Sequence, residues 1–161
     1  MATWQRFSEE APALAEKIKE RFTAEKSHVL ATVRRDGSPR VSGSEVDFRE
    51  QDLLIGSMIN AVKAKDLRRD GRFAIHAASA IDEGGADAKV AGKAVEITDP
   101  AEVARLQGND EPAHVFRLDL SEVVLTWVEG NSLMVEIWKE GQGSKRLARP
   151  DNGPVVEVAL G

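Results

Sequence analysis

Residues 31–48 read ATVRRDGSPRVSGSEVDF, and residues 52–76 read DLLIGSMINAVKAKDLRRDGRFAIH. The first stretch holds two runs rich in β-branched residues around Asp36-Gly37, and an Asp-Gly pair between such runs favours a tight β-hairpin. In the second stretch a short apolar run precedes a helical segment, 61–70, and a further strand. A series of strands joined by short turns is typical of a mainly β fold.

Alternating patterns and turn residues predict strands on both sides of this stretch. The predicted strands are 28–34, 39–48, 53–57, 73–78, 89–97, 114–128 with a bend near Asp119, and 132–138. The regular alternation of strands and helices that is typical of a parallel sheet is absent. The chain is therefore predicted to be mainly β, with six or seven antiparallel strands closed into a barrel and few helices.

The remaining segments are assigned to helices and loops. Ser8 is predicted to cap an N-terminal helix within residues 1–26, and its buried stripe would be Ala11, Leu14, Ile18 and Phe22. A short helix is predicted over 101–106, an exposed loop over 79–88 and a loop-like tail over 141–161. A chain of 161 residues is long enough for one core, so we expect a single domain.

Composition limits the possible functions. The formal net charge is −5, whereas general nucleic-acid binding needs a basic surface, so no nucleic-acid partner is expected. There is no cysteine, which excludes thiolate chemistry and fits a cytoplasmic location. No stretch approaches the roughly 18 apolar residues of a membrane span, so no membrane partner is expected. Redox chemistry would need a bound cofactor.

Motifs for several other functions are missing. His28, His76 and His114 are far apart and lack a ligand spacing such as HExxH, so no metal site is predicted. The GxSxG, P-loop and GxGxxG patterns are also absent. The sequence therefore favours neither a serine hydrolase nor a Rossmann dehydrogenase.

The segment 61–73 carries an excess of positive charge. It contains two aspartates and five basic residues, namely Lys63, Lys65, Arg68, Arg69 and Arg72. A phosphate is held by fixed positive charge and by the free N–H groups at a helix start, and Arg40 on the neighbouring strand lies within reach in this interpretation. The alternative is that the cluster is only the solvated face of a helix.

The order of strand, Asp-Gly hairpin, Pro-Arg-Val strand, third strand and Lys-containing helix resembles the pyridoxamine 5′-phosphate oxidase-like family. The resemblance covers about residues 28–149 and implies a split β-barrel with an N-terminal helix and short connecting helices. It also implies FMN bound by phosphate contacts from the Arg40 segment, Ser57 and Lys63. Ala61-Val62 stand where the family has Ser-Arg, which makes the deazaflavin F420 an alternative cofactor.

The resemblance further implies which residues line the flavin ring. These are Val41, Ser42 and Gly43 on the second strand and Ile55 and Gly56 on the third, with Trp138 approaching the flavin of a partner subunit in a homodimer. For Trp138, a place in the core or at the dimer interface is the alternative.

The tail offers one more partial match. Arg146-Leu147 resembles an Arg-Leu-His substrate-phosphate motif, but Ala148 occupies the histidine position, so vitamin B6 oxidation itself is not predicted. The expected function is an FMN-dependent oxidoreductase acting on a small molecule, without an assigned catalytic residue. A deazaflavin-dependent reductase and a non-catalytic flavin- or haem-binding protein are the alternatives.

Overall fold

The computed structural model describes residues 1–161 as ten strands and four α-helices. The strands are β1 (His28–Val33), β2 (Pro39–Ser44), β3 (Asp47–Arg49), β4 (Asp52–Met58), β5 (Arg72–His76), β6 (Ala86–Ile97), β7 (Ala113–Glu129), β8 (Ser132–Lys139), β9 (Gly143–Pro150) and β10 (Val156–Val158). The helices are α1 (Trp4–Glu10), α2 (Pro12–Ala24), α3 (Val62–Arg69) and α4 (Pro100–Gln107). No helix is long and apolar enough to cross a bilayer.

All strand pairs are antiparallel, and β7 pairs with three other strands, β4, β6 and β8. The strand order is β10-β9-β8-β7-β6-β5-β1-β2. The first part of β7 also pairs with β4, from Leu54 opposite Arg117 to Met58 opposite Ala113, while its second part pairs with β8. This division of one long strand between two partners produces the mainly β, antiparallel split-barrel fold that the sequence predicts.

The core lies inside the barrel and under the N-terminal helices. One continuous cluster of 25 buried apolar residues includes Phe7 and Ile18 from the helices and Leu30, Phe116 and Leu118 from the strands. In β1, buried and more exposed residues alternate, which is the pattern of a strand with one face on the core. Burial of this face is what closes the barrel.

The predicted N-terminal helix is in fact two helices. Thr3, not Ser8, caps α1, and the Ser8 hydroxyl instead donates to the Trp4 carbonyl. Pro12 occupies the first turn of α2, where its missing N–H does no harm, but its ring prevents α1 from continuing through it. The predicted apolar stripe of α2 is buried as expected.

The prediction of a single strand over 39–48 is wrong. β2 ends at Ser44, and β3 is a separate short strand that pairs with β4 rather than with β1. The turn between β3 and β4 contains Glu50 at a φ of 54°. The chain therefore crosses from one part of the barrel to the other at 45–46.

The predicted loop-like tail, 141–161, is also wrong in large part. β9 pairs with β8 over eight residues, from Ser132 opposite Pro150 to Lys139 opposite Gly143, and β10 adds a short edge strand. Polar and basic residues dominate β9, so its sequence lacks the apolar alternation of a strand. β9 is a strand because its backbone hydrogen-bonds to the free edge of β8, a contact that depends on the tertiary structure and not on the local sequence.

Candidate cofactor-binding groove

A groove of about 580 Å³ lies between the end of β2, the end of β4 and the start of α3. Four of the predicted site residues line it, namely Gly43, Gly56, Ser57 and Lys63. Its volume falls within the range of small-molecule and cofactor sites. The β2 and β4 contributions come together because β2 leaves its pairing with β1 just before Glu45 and crosses towards β4.

Two glycines give the groove an open floor. A Cβ atom added at Gly43 would meet no atom within 4 Å, and one added at Gly56 would only reach the His114 carbonyl oxygen at 4.0 Å. Any side chain at these positions would therefore project into the open volume of the groove. A backbone floor of this kind allows a flat ring to approach closely.

One end of the groove carries a cation and a helix start. The Lys63 Nζ donates to the Gly43 carbonyl at 2.9 Å, which bridges the two walls. Burial lowers the pKa of Lys63, although the nearby Glu45 carboxylate opposes this shift. Ala61 precedes α3 without a side-chain cap, so the first N–H groups of this eight-residue helix are available to an anion.

Acidic side chains limit what the groove can bind. Glu45 and Asp47 line it together with Lys63, so that one cation faces two carboxylates. A ligand with a high negative charge would be repelled. The donors present fit a flat ring that carries one anionic group.

The structure does not bring Arg40 into this groove. The Arg40 Nε donates to Asp66 Oδ2 at 2.7 Å, and Asp66 also accepts hydrogen bonds from Arg69 and Thr32, each at 2.8 Å. Asp66 is only 2% exposed. Burial alone would raise the pKa of Asp66, but the hydrogen bonds from Arg40, Arg69 and Thr32 outweigh it, and the pKa lies below its usual value.

The basic cluster on α3 is largely neutralised in the same way. Arg68 pairs with Glu96 at 2.8 Å, and Arg72 pairs with Asp70 at 2.7 Å. The hydrogen bonds from Arg72 hold the pKa of Asp70 at about 2. The structure therefore favours the alternative interpretation of this cluster, a solvated and ion-paired surface, for every arginine in it.

Three predicted ring-lining residues lie elsewhere. Val41 is 70% exposed and points outward from β2, whereas Ile55 is buried in the core and Ser42 is half-buried on the opposite face of β2 from Val41. Successive residues of a strand point to opposite faces, so a continuous run such as 41–43 cannot line one side of a groove with its side chains. Of these segments only Gly43 and Gly56 line the groove.

The predicted approach of Trp138 to a partner's flavin requires correction. Its ring is completely buried in the core of its own chain, 5.0 Å from the Phe7 ring, and its Nε1 donates to Glu10 at 3.1 Å. Arg146 of the partial tail motif is likewise occupied, because it pairs with Glu136 at 3.0 Å and covers the Trp127 ring. The alternative interpretation of Trp138 as a core aromatic holds.

Several groove residues were missed in the sequence. They are Ser27, Ser44, Glu45, Val46, Asp47, Met58 and Ala61. Four of them, residues 44–47, lie in or directly beside the crossing between β2 and β3, within the single strand predicted over 39–48. A break after Gly43-Ser44 would have pointed to a groove, since irregular backbone between strands commonly lines a site.

Solved structures of low sequence identity share the fold. PhzG from Burkholderia lata 383, in complex with tetrahydrophenazine-1-carboxylic acid, is 14% identical and has a TM-score of 0.68, covering 91% of this chain and 92% of that one. A haem binding protein from Mycobacterium smegmatis is 13% identical with a TM-score of 0.58, covering 90% and 91%. Atu2129 from Agrobacterium tumefaciens str. C58, of unknown function, is 15% identical with a TM-score of 0.59, and the match covers 71% of this chain and 56% of that one.

Sequence comparison adds the family. No curated protein matches the chain. The family model described as pyridoxamine 5′-phosphate oxidase matches residues 14–127, which run from α2 through most of β7 and include every residue that lines the groove. The chain therefore belongs to the pyridoxamine 5′-phosphate oxidase family.

Proposed function

We propose that this chain binds FMN in the groove and acts as an oxidoreductase on a small-molecule substrate. The observation that carries the proposal is the juxtaposition of Lys63 and the uncapped start of α3 with a floor formed by Gly43 and Gly56. A bound FMN would supply hydride or electron transfer through its ring, while the protein supplies binding and orientation.

The residues of the groove have distinct roles in this proposal. Lys63 and the N–H groups of the first turn of α3 hold the phosphate. The Ser57 hydroxyl, which donates to the Met58 carbonyl at 3.4 Å, adds a donor when it turns towards the phosphate. Gly43 and Gly56 leave room for the ring against the backbone. Glu45 and Asp47 also line the groove, where their charges disfavour anionic substrates.

The deazaflavin F420 is the alternative cofactor of the same groove. Arg40 is engaged by Asp66, so a phosphate in the groove has one lysine as its only cationic side chain. The phosphodiester of F420 carries one negative charge, against nearly two for the phosphate of FMN, so Lys63 alone can balance it, and the carboxylate tail of F420 would have to lie outside the groove, away from Glu45 and Asp47.

A binding protein without turnover is the second candidate. It is favoured by the same loss of positive charge, because a cofactor held loosely or in another orientation need not be placed for hydride transfer. Haem is a ligand to test in this case, since the Mycobacterium smegmatis neighbour is a haem binding protein.

We infer that the active form is a cytoplasmic homodimer. Val29 and Val41 are 52% and 70% exposed on the outer face of β1 and β2, and large apolar side chains on one sheet face are typical of a protein contact. The absence of cysteine is in keeping with a reducing compartment.

The experiment that tests the proposal is a titration of the purified protein with FMN, F420 and haem, followed by absorbance and fluorescence. Micromolar FMN binding, with bleaching by NAD(P)H and reoxidation by an acceptor, supports the oxidoreductase. Binding of F420 alone moves the function to deazaflavin chemistry. A bound chromophore that is never reduced supports the binding protein, and no binding of any of the three refutes all of these functions.

A further inference from the structure

A second cleft, of about 540 Å³, lies between α4, the loop that follows it and the ends of β6 and β7. Its apolar wall includes Ile97, Pro100 and Val103. A polar group formed by His114, Glu96 and Arg68 lines the same cleft. None of these residues lines the groove described above, and the cofactor proposal does not use them.

Glu96 fixes the orientation of the His114 ring. The His114 Nδ1 lies 2.9 Å from Glu96 Oε1, and Arg68 Nε donates to Glu96 Oε2 at 2.8 Å. An ionised carboxylate can only accept hydrogen bonds, so Nδ1 carries the hydrogen in the neutral ring and Nε2 carries the lone pair. The side chains of His114 and Glu96 are 13% and 19% exposed, so the pair is partly withdrawn from water.

The other ring nitrogen of His114 opens onto the cleft. Nε2 has no hydrogen-bond partner in the chain. The only buried side-chain nitrogens or oxygens without a partner are Arg21 Nε and Arg146 Nε. His114 Nε2 is therefore accessible to solvent in the cleft. His28 differs, because both of its ring nitrogens lie within hydrogen-bond distance of backbone groups. An imidazole held on one side by a carboxylate and free on the other is the arrangement of a general base.

The charges around the cleft select the kind of ligand. Asp110 and Glu111 also line it, so one guanidinium, that of Arg68, faces three carboxylates when His114 is neutral. This balance repels carboxylates and phosphates and admits a neutral molecule.

We propose that this cleft binds a small neutral molecule with an apolar body and a weakly acidic O–H group of the phenol or enol type, and that His114 is its proton acceptor. The O–H bond of the ligand breaks and its electron pair stays on the oxygen, while an N–H bond forms at Nε2. The imidazolium so formed pairs with the oxyanion on one side and with Glu96 on the other, which offsets the repulsion from the surrounding carboxylates. No electrons are transferred. Arg68 acts only through Glu96, which it holds in place.

The test uses para-nitrophenol as the probe, because the phenol and phenolate forms differ in absorbance. Titration is done near pH 7, where an unperturbed imidazole is mostly neutral and the free probe is still partly phenol, so the band to be measured is the phenolate absorbance above that of the free probe. We expect the protein to bind it and to produce the phenolate band, with a change in the nitrogen-15 shift of His114 Nε2. His114→Gln is expected to weaken binding roughly tenfold or more and to abolish the band. Glu96→Gln is expected to retain binding with a smaller phenolate fraction.

His76→Gln is the matched control, since His76 is a partly exposed histidine outside the cleft, and it is expected to behave like the unaltered protein. An unchanged phenolate band in His114→Gln would overturn the proposal. So would a lack of binding at millimolar probe, or binding to the unaltered protein without a shift at His114 Nε2. The last two readouts need no variant. Lys63→Ala is expected to leave this binding intact, which separates it from the cofactor proposal.

Discussion

Lys63 is the only cationic side chain that lines the proposed cofactor groove. Replacing it with alanine is expected to weaken FMN binding by about 1.5–3 kcal/mol, the range for a hydrogen bond to a charged group, which is roughly tenfold to 150-fold in Kd. The measurement is a fluorescence titration. Lys65→Ala is the control, because Lys65 is exposed on the same helix and lies outside the groove. Equal affinities of the two variants would contradict the role of Lys63.

Asp66 is a charged residue that stabilises the fold and does not line the groove. It is buried and accepts hydrogen bonds from two arginines and from Thr32, so Asp66→Ala would leave Arg40 and Arg69 without their partner. We expect a loss of about 3 kcal/mol or more in the free energy of unfolding, measured by urea denaturation. Asp70→Ala, which removes an exposed pair with Arg72, should leave the unfolding midpoint nearly unchanged.

The same carboxylate makes stability depend on acid pH. Because the pKa of Asp66 is lower in the folded than in the unfolded state, its contribution is complete above the unfolded pKa of about 3.9 and is lost as the pH falls through the folded pKa. Asp66→Ala should therefore show a shallower fall in stability between pH 5 and 2, on the order of one titrating group. Parallel profiles for the two proteins would exclude this linkage.

At the scale of elements, the long strand β7 depends on one glycine of its neighbour. Ser121 is an extra residue in β7, opposite the step from Ala91 to Gly92 in β6, close to the predicted bend near Asp119. A Cβ atom at Gly92 would collide with the Asp119 carbonyl oxygen and lie 2.9 Å from its carbon. Bulges of this type change the direction of a strand, which lets β7 serve both parts of the barrel.

Gly92→Ala is therefore expected to destabilise the fold by about 1–3 kcal/mol or more, as overpacking does. Thermal and urea unfolding provide the measurement. Gly43→Ala should leave stability nearly unchanged, because a Cβ there has open space, while it narrows the proposed groove. If the Gly92→Ala variant is as stable as the Gly43→Ala variant, β6 and β7 can move apart to accept the extra methyl group, and the close approach at Gly92 is not required for stability.

The strand β9 allows a further test, because its sequence does not resemble that of a strand. Its backbone is paired with β8 along its whole length, and Arg146 is tied to Glu136. Amide hydrogen exchange is expected to be slow over 146–148, which lie between β8 and β10, and fast at Ser79 and Ala80, whose N–H groups make no hydrogen bond. Equally fast exchange in both segments would restore the loop-like tail.

At the scale of the whole molecule, the outer face of β1 and β2 is the proposed dimer surface. Ala31 pairs with Val41 and Val29 pairs with Gly43, so these residues share one face, and Gly43 also belongs to the groove. A charge at Val41 would be buried without a partner in a dimer. Val41→Glu is thus expected to sediment as a monomer at concentrations where the unaltered protein is a dimer.

Val128→Glu is the control for this prediction. Val128 is 58% exposed, but it lies near the end of β7, paired with Leu133 of β8, away from the proposed surface. Its sedimentation should match that of the unaltered protein. If Val41→Glu also leaves the sedimentation coefficient unchanged, the dimer does not use this face.

The sequence alone predicts the features that depend on neighbours in the chain. The Asp36-Gly37 hairpin, the helix after Ala61 and most strands follow from turn chemistry and periodicity, which act over a few residues. The basic segment 61–73 pointed to Lys63, whereas Gly43, Gly56 and Ser57 entered the predicted site through the resemblance to the family, which rests on the order of these elements.

Which charged side chains remain available to a ligand is set by contacts between residues that are far apart in the chain. Arg40 and Asp66 are 26 residues apart, and His114 and Glu96 lie on different strands, so no local pattern could pair them. A charged residue behaves as a ligand or as a structural ion according to the partner that folding places beside it. Burial then makes that choice stable, because separating a buried pair leaves an uncompensated charge in a poorly polar medium.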